Sequence, residues 1–116
     1  MVKVDKIEET GGERRDVVIR YLPRAGADLA LHATPTERSY IHNALSFSPH
    51  GRKDITDGSF RVRRIGLLDV VFALSEEAER TLVVVHAVRP YEPPDFRDRL
   101  RRTLEWIRLV RGAAGL

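Results

Sequence analysis

The sequence predicts a small α+β domain: an antiparallel sheet centred on a three-strand meander, packed with a helical hairpin and a final helix. Three observations point there. Residues 57–89, DGSFRVRRIGLLDVVFALSEEAERTLVVVHAVR, read as three strands with short breaks, and short connections between successive strands imply antiparallel pairing. Upstream, Thr34-Pro35-Thr36-Glu37 is a helix start: threonine caps, proline takes the first helical position and glutamate closes a capping box. Downstream, Phe96, Leu100, Leu104, Ile107 and Val110 make one apolar stripe at helical spacing.

The elements follow in order through residues 1–116 as a single domain. Residues 2–22 form either a hairpin or one strand: VKVDKIEE alternates apolar and polar residues, Gly11-Gly12 interrupts, and DVVIRYL is a short apolar strand. Pro23 stops the extended run. A helical hairpin spans 24–47, as a short helix from Arg24 to Ala33 and a second, begun at Thr34, with Ile41, Ala44, Leu45 and Ser48 at helical spacing. PHGRKDITDGS, residues 49–59, is a polar loop. The meander 60–88 comprises strands Phe60–Arg64, Leu67–Leu74 and Thr81–Val88, parted by Gly66 and by the acidic SEEAER loop. Pro90, Pro93 and Pro94 end the sheet, and the last helix covers 95–111.

Composition narrows the function. A chain of 116 residues supports one modest core. With no cysteine, disulfides, thiolate metal sites and cysteine nucleophiles are excluded. His32, His42 and His50 show no metal-binding spacing, so no metal or cofactor is expected. MVKVDKIEETGGERR lacks the apolar run of a signal peptide and no later stretch reaches membrane-span length, so a cytoplasmic location is expected. All but three of the 20 basic residues are arginine, against a net charge of only +3. Genomic base composition accounts for such a bias as readily as function does. Arginine's planar fork nonetheless suits phosphate and stacks on bases, so the places where the arginines cluster carry the functional reading.

Arg61 and Arg63 lie two apart on one strand, so their side chains leave one face roughly 7 Å apart. That spacing suits adjacent phosphates, or one phosphate and the charge developing on it during cleavage; the structural alternative is a solvated strand face. Arg64 and, on the loop before, Arg52 and Lys53 extend the basic character. Arginine cannot act as a base, so RNA cleavage needs a proton acceptor and donor elsewhere. His86 is the natural candidate. With a Ser75–Arg80 loop, Leu74 opposes Thr81 and Asp69 opposes His86, which would orient the imidazole and favour its protonated form. Tyr91 could stack on a base, donate a proton or simply pack over the sheet edge. Trp106, beside the stripe of the last helix, is expected in the core or an interface. That helix carries Arg97, Arg99, Arg101, Arg102, Arg108 and Arg111, as a solvated face, a patch that tracks a nucleic-acid backbone or a docking surface for an acidic partner.

The order strand, two helices, basic loop, meander and last helix resembles the RelE/ParE superfamily, the toxins of bacterial type II toxin–antitoxin pairs. SFRVRRIGLLDVVFAL followed by RTLVVVHAVR carries the resemblance, which covers residues 16–92. It implies a growth-inhibiting toxin, either a ribosome-dependent mRNA endoribonuclease or a non-catalytic binder, one that inhibits DNA gyrase as in the ParE branch or a diverged member whose job is partner binding. The partner it implies is a small acidic antitoxin. In the nucleases, Arg61 and Arg63 match basic residues of the first meander strand, Arg89 matches an arginine after the third, and Tyr91 is nearest to the proton-handling residue that follows. The family's nucleases have an arginine just after the glycine turn, whereas this chain reads Gly66-Leu67-Leu68-Asp69. A carboxylate there would repel a scissile phosphate, which favours a binder. A nucleic-acid-binding domain unrelated to toxins is a third reading, on the arginine distribution alone.

Overall fold

The structure, a computed structural model, describes residues 16–91 and 96–114. The expected strand 2–10 and the approach to the last helix lie outside the described residues. Eight elements follow in order: β1 (Asp16–Tyr21), α1 (Pro23–His32), α2 (Pro35–Phe47), β2 (Ile55–Asp57), β3 (Phe60–Ile65), β4 (Leu68–Glu76), β5 (Arg80–Pro90) and α3 (Phe96–Ala113). The five strands form one mixed sheet in the order β1-β5-β4-β3-β2.

Local chemistry sets most boundaries. Pro23 opens α1 at its first turn. At the start of α2 the Thr34 N–H donates to Glu37 Oε1 at 2.8 Å, and the Glu37 N–H donates to Thr34 Oγ1 at 3.1 Å. Both donors would otherwise be orphaned at the helix end. Gly58 and Gly66 open the two tight hairpin turns, each at φ 64°. The primed turns that suit twisted hairpins require that left-handed conformation.

Three expectations are corrected. The sheet is not wholly antiparallel: β1 runs parallel to β5, from Asp16↔Arg80 to Tyr21↔Val85. Short turns dictate direction only within the meander, whereas β1 reaches its partner after the chain has crossed to the far edge and returned strand by strand. The expected loop 49–59 also contains β2, a three-residue strand antiparallel to Phe60–Val62. The β4–β5 hairpin is longer than expected, with Glu76 opposite Thr81 and Leu74 opposite Val83.

Alternation along the strands sends side chains to two cores. On one face Val70 and Phe72 of β4 and Val83, Val85 and Val88 of β5 meet Ala25 and Leu29 of α1 and Ile41 and Leu45 of α2. On the other, Phe60, Val62, Val71 and Ala87 meet Trp106, Ile107 and Val110 of α3. β5 therefore reads as a nearly continuous apolar run, Leu82–Val88 interrupted at His86, because both of its faces are covered. Trp106 sits fully in the buried stripe, while Leu100, expected there, is 38% exposed. Arg111 ties the end of α3 to the β2–β3 turn, its Nη2 donating to the Asp57 carbonyl at 2.7 Å. No described helix is long and apolar enough to cross a membrane.

A bulge interrupts the β4–β5 ladder. Val71 faces Ala87 but Phe72 faces Val85, so His86 is the extra residue. Just beyond it the Val88 N–H donates to Asp28 Oδ2 of α1 at 2.9 Å, which stitches that helix to β5.

Candidate nucleic-acid groove

β2 pairs only with Phe60–Val62, so beyond Val62 it does not flank β3. Alongside the rest of β3 opens a groove of about 620 Å³. The loop from Ser48 to Ile55 forms one wall, Val62, Arg63 and Arg64 the floor, and Tyr91 and Arg99 the other wall. Arg52 and Lys53 stand exposed on the loop, and among the described residues neither makes an ion pair or hydrogen bond. Among the described residues, five basic side chains thus line the groove against one carboxylate, Asp54.

That carboxylate is already neutralised. Arg61 and Arg63 point to the α1–α2 face, where the loop folds over β3. Arg63 Nε donates to Asp54 Oδ1 at 2.7 Å and its Nη2 to Oδ2 at 2.9 Å, a bidentate pair. Arg61 Nη1 reaches Oδ2 at 3.1 Å, and the Gly51 N–H donates to the same oxygen at 3.2 Å. Asp54's side chain is only 2% exposed. Arg61 and Arg63 also donate to the carbonyls of Gly51 and Pro49. The two arginines do leave one face together, as their spacing implies, but in this conformation they bind the protein's own loop.

The opposite wall is built from guanidinium and π surfaces. Arg64 and Arg99 lie 4.5 and 4.9 Å from the centroid of the Tyr91 ring, within cation–π range. The Tyr91 N–H donates to the Leu67 carbonyl at 2.9 Å, which pins the ring to the β3–β4 turn. Arg99 Nη2 donates to Asp69 Oδ1 at 3.0 Å, while Arg99 Nε is buried with no partner among the described residues.

Asp69 does not oppose His86. The longer hairpin and the bulge place it between Arg64 on β3 and Arg89 on β5, on the α3 side of the sheet. It is buried, and burial pushes its carboxyl above the usual range although Arg99, Arg89 and Arg64 pull it back. The expectation of a carboxylate facing the ligand is corrected accordingly: Asp69 is enclosed by arginines beneath the groove. Arg89 lies with its guanidinium 3.8 Å over the Trp106 ring and is not among the groove's lining residues.

His86 is equally remote. Its ring is 7% exposed and lies 4.7 Å from the Phe60 ring, and burial lowers its pKa from the usual 6.5. Because burial makes the folded imidazole bind a proton less readily than the unfolded one, the sign is definite. The unfolded chain binds the extra proton, so stability is fully present above about pH 6.5 and falls below it. Chemical denaturation across pH 5–8 is expected to show this decline, and His86→Gln to flatten it.

Of the expected site residues, the groove brings together Arg52, Lys53, Arg63, Arg64 and Tyr91; Arg61 borders it through Asp54, and Arg89 and His86 lie apart. No protein-family model matches the chain, and neither does any curated protein. The groove's geometry therefore carries the binding part of the functional reading. It includes Asp54, which the sequence reading did not single out, and Arg99, which that reading placed only among the six arginines of the last helix. Arg99 precedes Thr103, Trp106 and Val110 by whole helical turns, and all three are buried; that spacing turns it toward the sheet. Among the described residues, no group of three or more His, Asp or Glu side chains could hold a metal.

Proposed function

We propose that this chain is a RelE/ParE-like toxin of a type II toxin–antitoxin pair that acts by holding a single-stranded nucleic acid, RNA foremost, along the groove. One observation carries the binding part: Arg52, Lys53, Arg64 and Arg99 converge on one groove whose lining carboxylate is already paired. Such a row supplies phosphate contacts without a sequence-reading element. The toxin part rests on the order of elements and on the resemblance of residues 16–92, and it brings the acidic antitoxin with it as partner. Binding is favoured over cleavage because His86 is buried away from the groove and its pKa is lowered. Cleavage stands as the second reading on one observation, the presence of Tyr91 in the groove wall between two guanidinium groups.

A labelled single-stranded RNA titrated at several salt concentrations tests the binding. Four phosphate contacts give a log–log slope of about −3, and Arg64→Ala is expected to shift that slope toward zero by about 0.7. Unchanged affinity in Arg64→Ala combined with Lys53→Ala would refute the assignment to the groove. Intact mRNA on translating ribosomes after incubation with the protein separates the binder from the nuclease.

A further inference from the structure

Asp54 has a second consequence for the same groove, given the nucleic-acid reading above. We infer that Asp54 is a built-in competitor for the groove's ligand. Its carboxylate fills an anion subsite made by Arg61, Arg63 and the Gly51 N–H, and a nucleic-acid phosphate takes that place when the loop lifts.

The donors converge as an anion site requires. Three guanidinium N–H groups and one backbone N–H meet a single carboxylate at 2.7–3.2 Å. The guanidinium fork fits carboxylate and phosphate alike, so the cradle does not discriminate between them by shape. It also opens on the groove, because Gly51, Asp54 and Arg63 line that space. A strand bound there passes the latched pair.

The loop is held in a way that allows exchange. Apart from the enclosed Asp54 carboxylate, residues 48–54 are exposed or half-buried, so no apolar side chain of the segment anchors it in the core. Its ties are the Asp54 pairs, the Arg61 and Arg63 bonds to Gly51 and Pro49 carbonyls, and an exposed pair between His50 and Glu76. Replacing one anion by another costs less than stripping the arginines bare. The latch is closely fitted around Gly51, where a Cβ would stand 2.6 Å from Asp54 Oδ1 and 2.7 Å from Arg63 Nη2. Any side chain at that position pushes the latch apart while leaving every charge in place.

The wild-type protein gives the direct test. The ¹³C shift of the Asp54 carboxyl is followed while a single-stranded RNA is added to saturation, and it is expected to move as the carboxylate leaves Arg63. An unmoved Asp54 signal at saturation overturns the exchange but leaves groove binding intact. Absence of any RNA binding instead overturns the groove reading, and the exchange with it. Two variants give an independent measure by the salt titration. Asp54→Asn is expected to bind about tenfold tighter, because the competing carboxylate no longer has to be displaced from the arginines. Gly51→Ala, which keeps all charges, is expected to shift affinity the same way. Tighter binding in Asp54→Asn without it in folded Gly51→Ala would show only the loss of a repelling charge and would overturn the latch.

Discussion

Arg63→Ala is expected to lower the unfolding free energy by about 3 kcal/mol, far more than an ordinary strand arginine. Removing an exposed ion-pair partner costs under about 1 kcal/mol. Here the carboxylate left behind is Asp54, whose side chain is 2% exposed and which loses both arms of a bidentate pair. An uncompensated buried charge costs about 3–5 kcal/mol, and the remaining contacts from Arg61 and the Gly51 N–H offset part of that. Arg63 also packs its guanidinium 5.2 Å from the buried Phe72 ring, so truncation loosens the sheet beneath. Urea denaturation of the single variant and of Arg63→Ala/Asp54→Ala checks the cause. The double variant is expected to recover much of the loss, since it removes the stranded charge. No recovery would mean that packing rather than the ion pair carries the effect.

Trp106→Ala is expected to cost about 3–5 kcal/mol, in the range of large aromatic truncations. Trp106 is 6% exposed and belongs to the core between α3 and the sheet with Phe60, Val62 and Val71. Its ring also supports the Arg89 guanidinium at 3.8 Å. A cavity there weakens the seat of α3, and α3 supplies Arg99 to the groove wall. The same variant is therefore expected to weaken RNA binding without touching a groove residue, whereas Trp106→Phe retains most of both properties. Thermal denaturation together with the salt titration reads both effects. A stable Trp106→Ala with unaltered binding would mean that α3 is not held through this core.

How far the sequence discloses this protein depends on the range of the interactions. The capping box at Thr34–Glu37 and the glycine turn at Gly66 rest on contacts within a few residues, and they are legible, whereas the Gly58 turn lies in what reads as a plain polar loop because β2 is only three residues long. The helical hairpin and the meander follow from them with boundaries off by at most two residues. The parallel pairing of β1 with β5 joins segments more than sixty residues apart, and no local signal encodes its direction. The register of β4 against β5 fails for a different reason. A hairpin loop only three residues long and one bulged histidine together shift Asp69 from His86 to Arg89. Alternation cannot reveal such a shift when both faces are apolar.

The candidate site divides along the same line. Arg52, Lys53, Arg64 and Tyr91 are legible as basic or aromatic residues at the margins of the sheet, because their role depends on exposure. Arg61 and Arg63 are legible as a pair on one face, but not their partner. Asp54 sits between Lys53 and Ile55 in a loop whose path over β3 only the fold determines. Asp69 reads as a repelling charge in the sequence and is an enclosed counter-ion in the structure, held at 3.0 Å by an arginine thirty residues away.

Nucleic-acid binding along the β3 groove is the central claim, and a residue-resolved amide shift map tests it most directly. A single-stranded RNA oligonucleotide is added to ¹⁵N-labelled protein at low salt and the perturbed residues are located. The expected result is a contiguous set over 48–55, 62–64, Tyr91 and Arg99, reversed by added salt. Perturbations confined to the α1–α2 hairpin, or a spectrum unchanged at millimolar RNA, would contradict it.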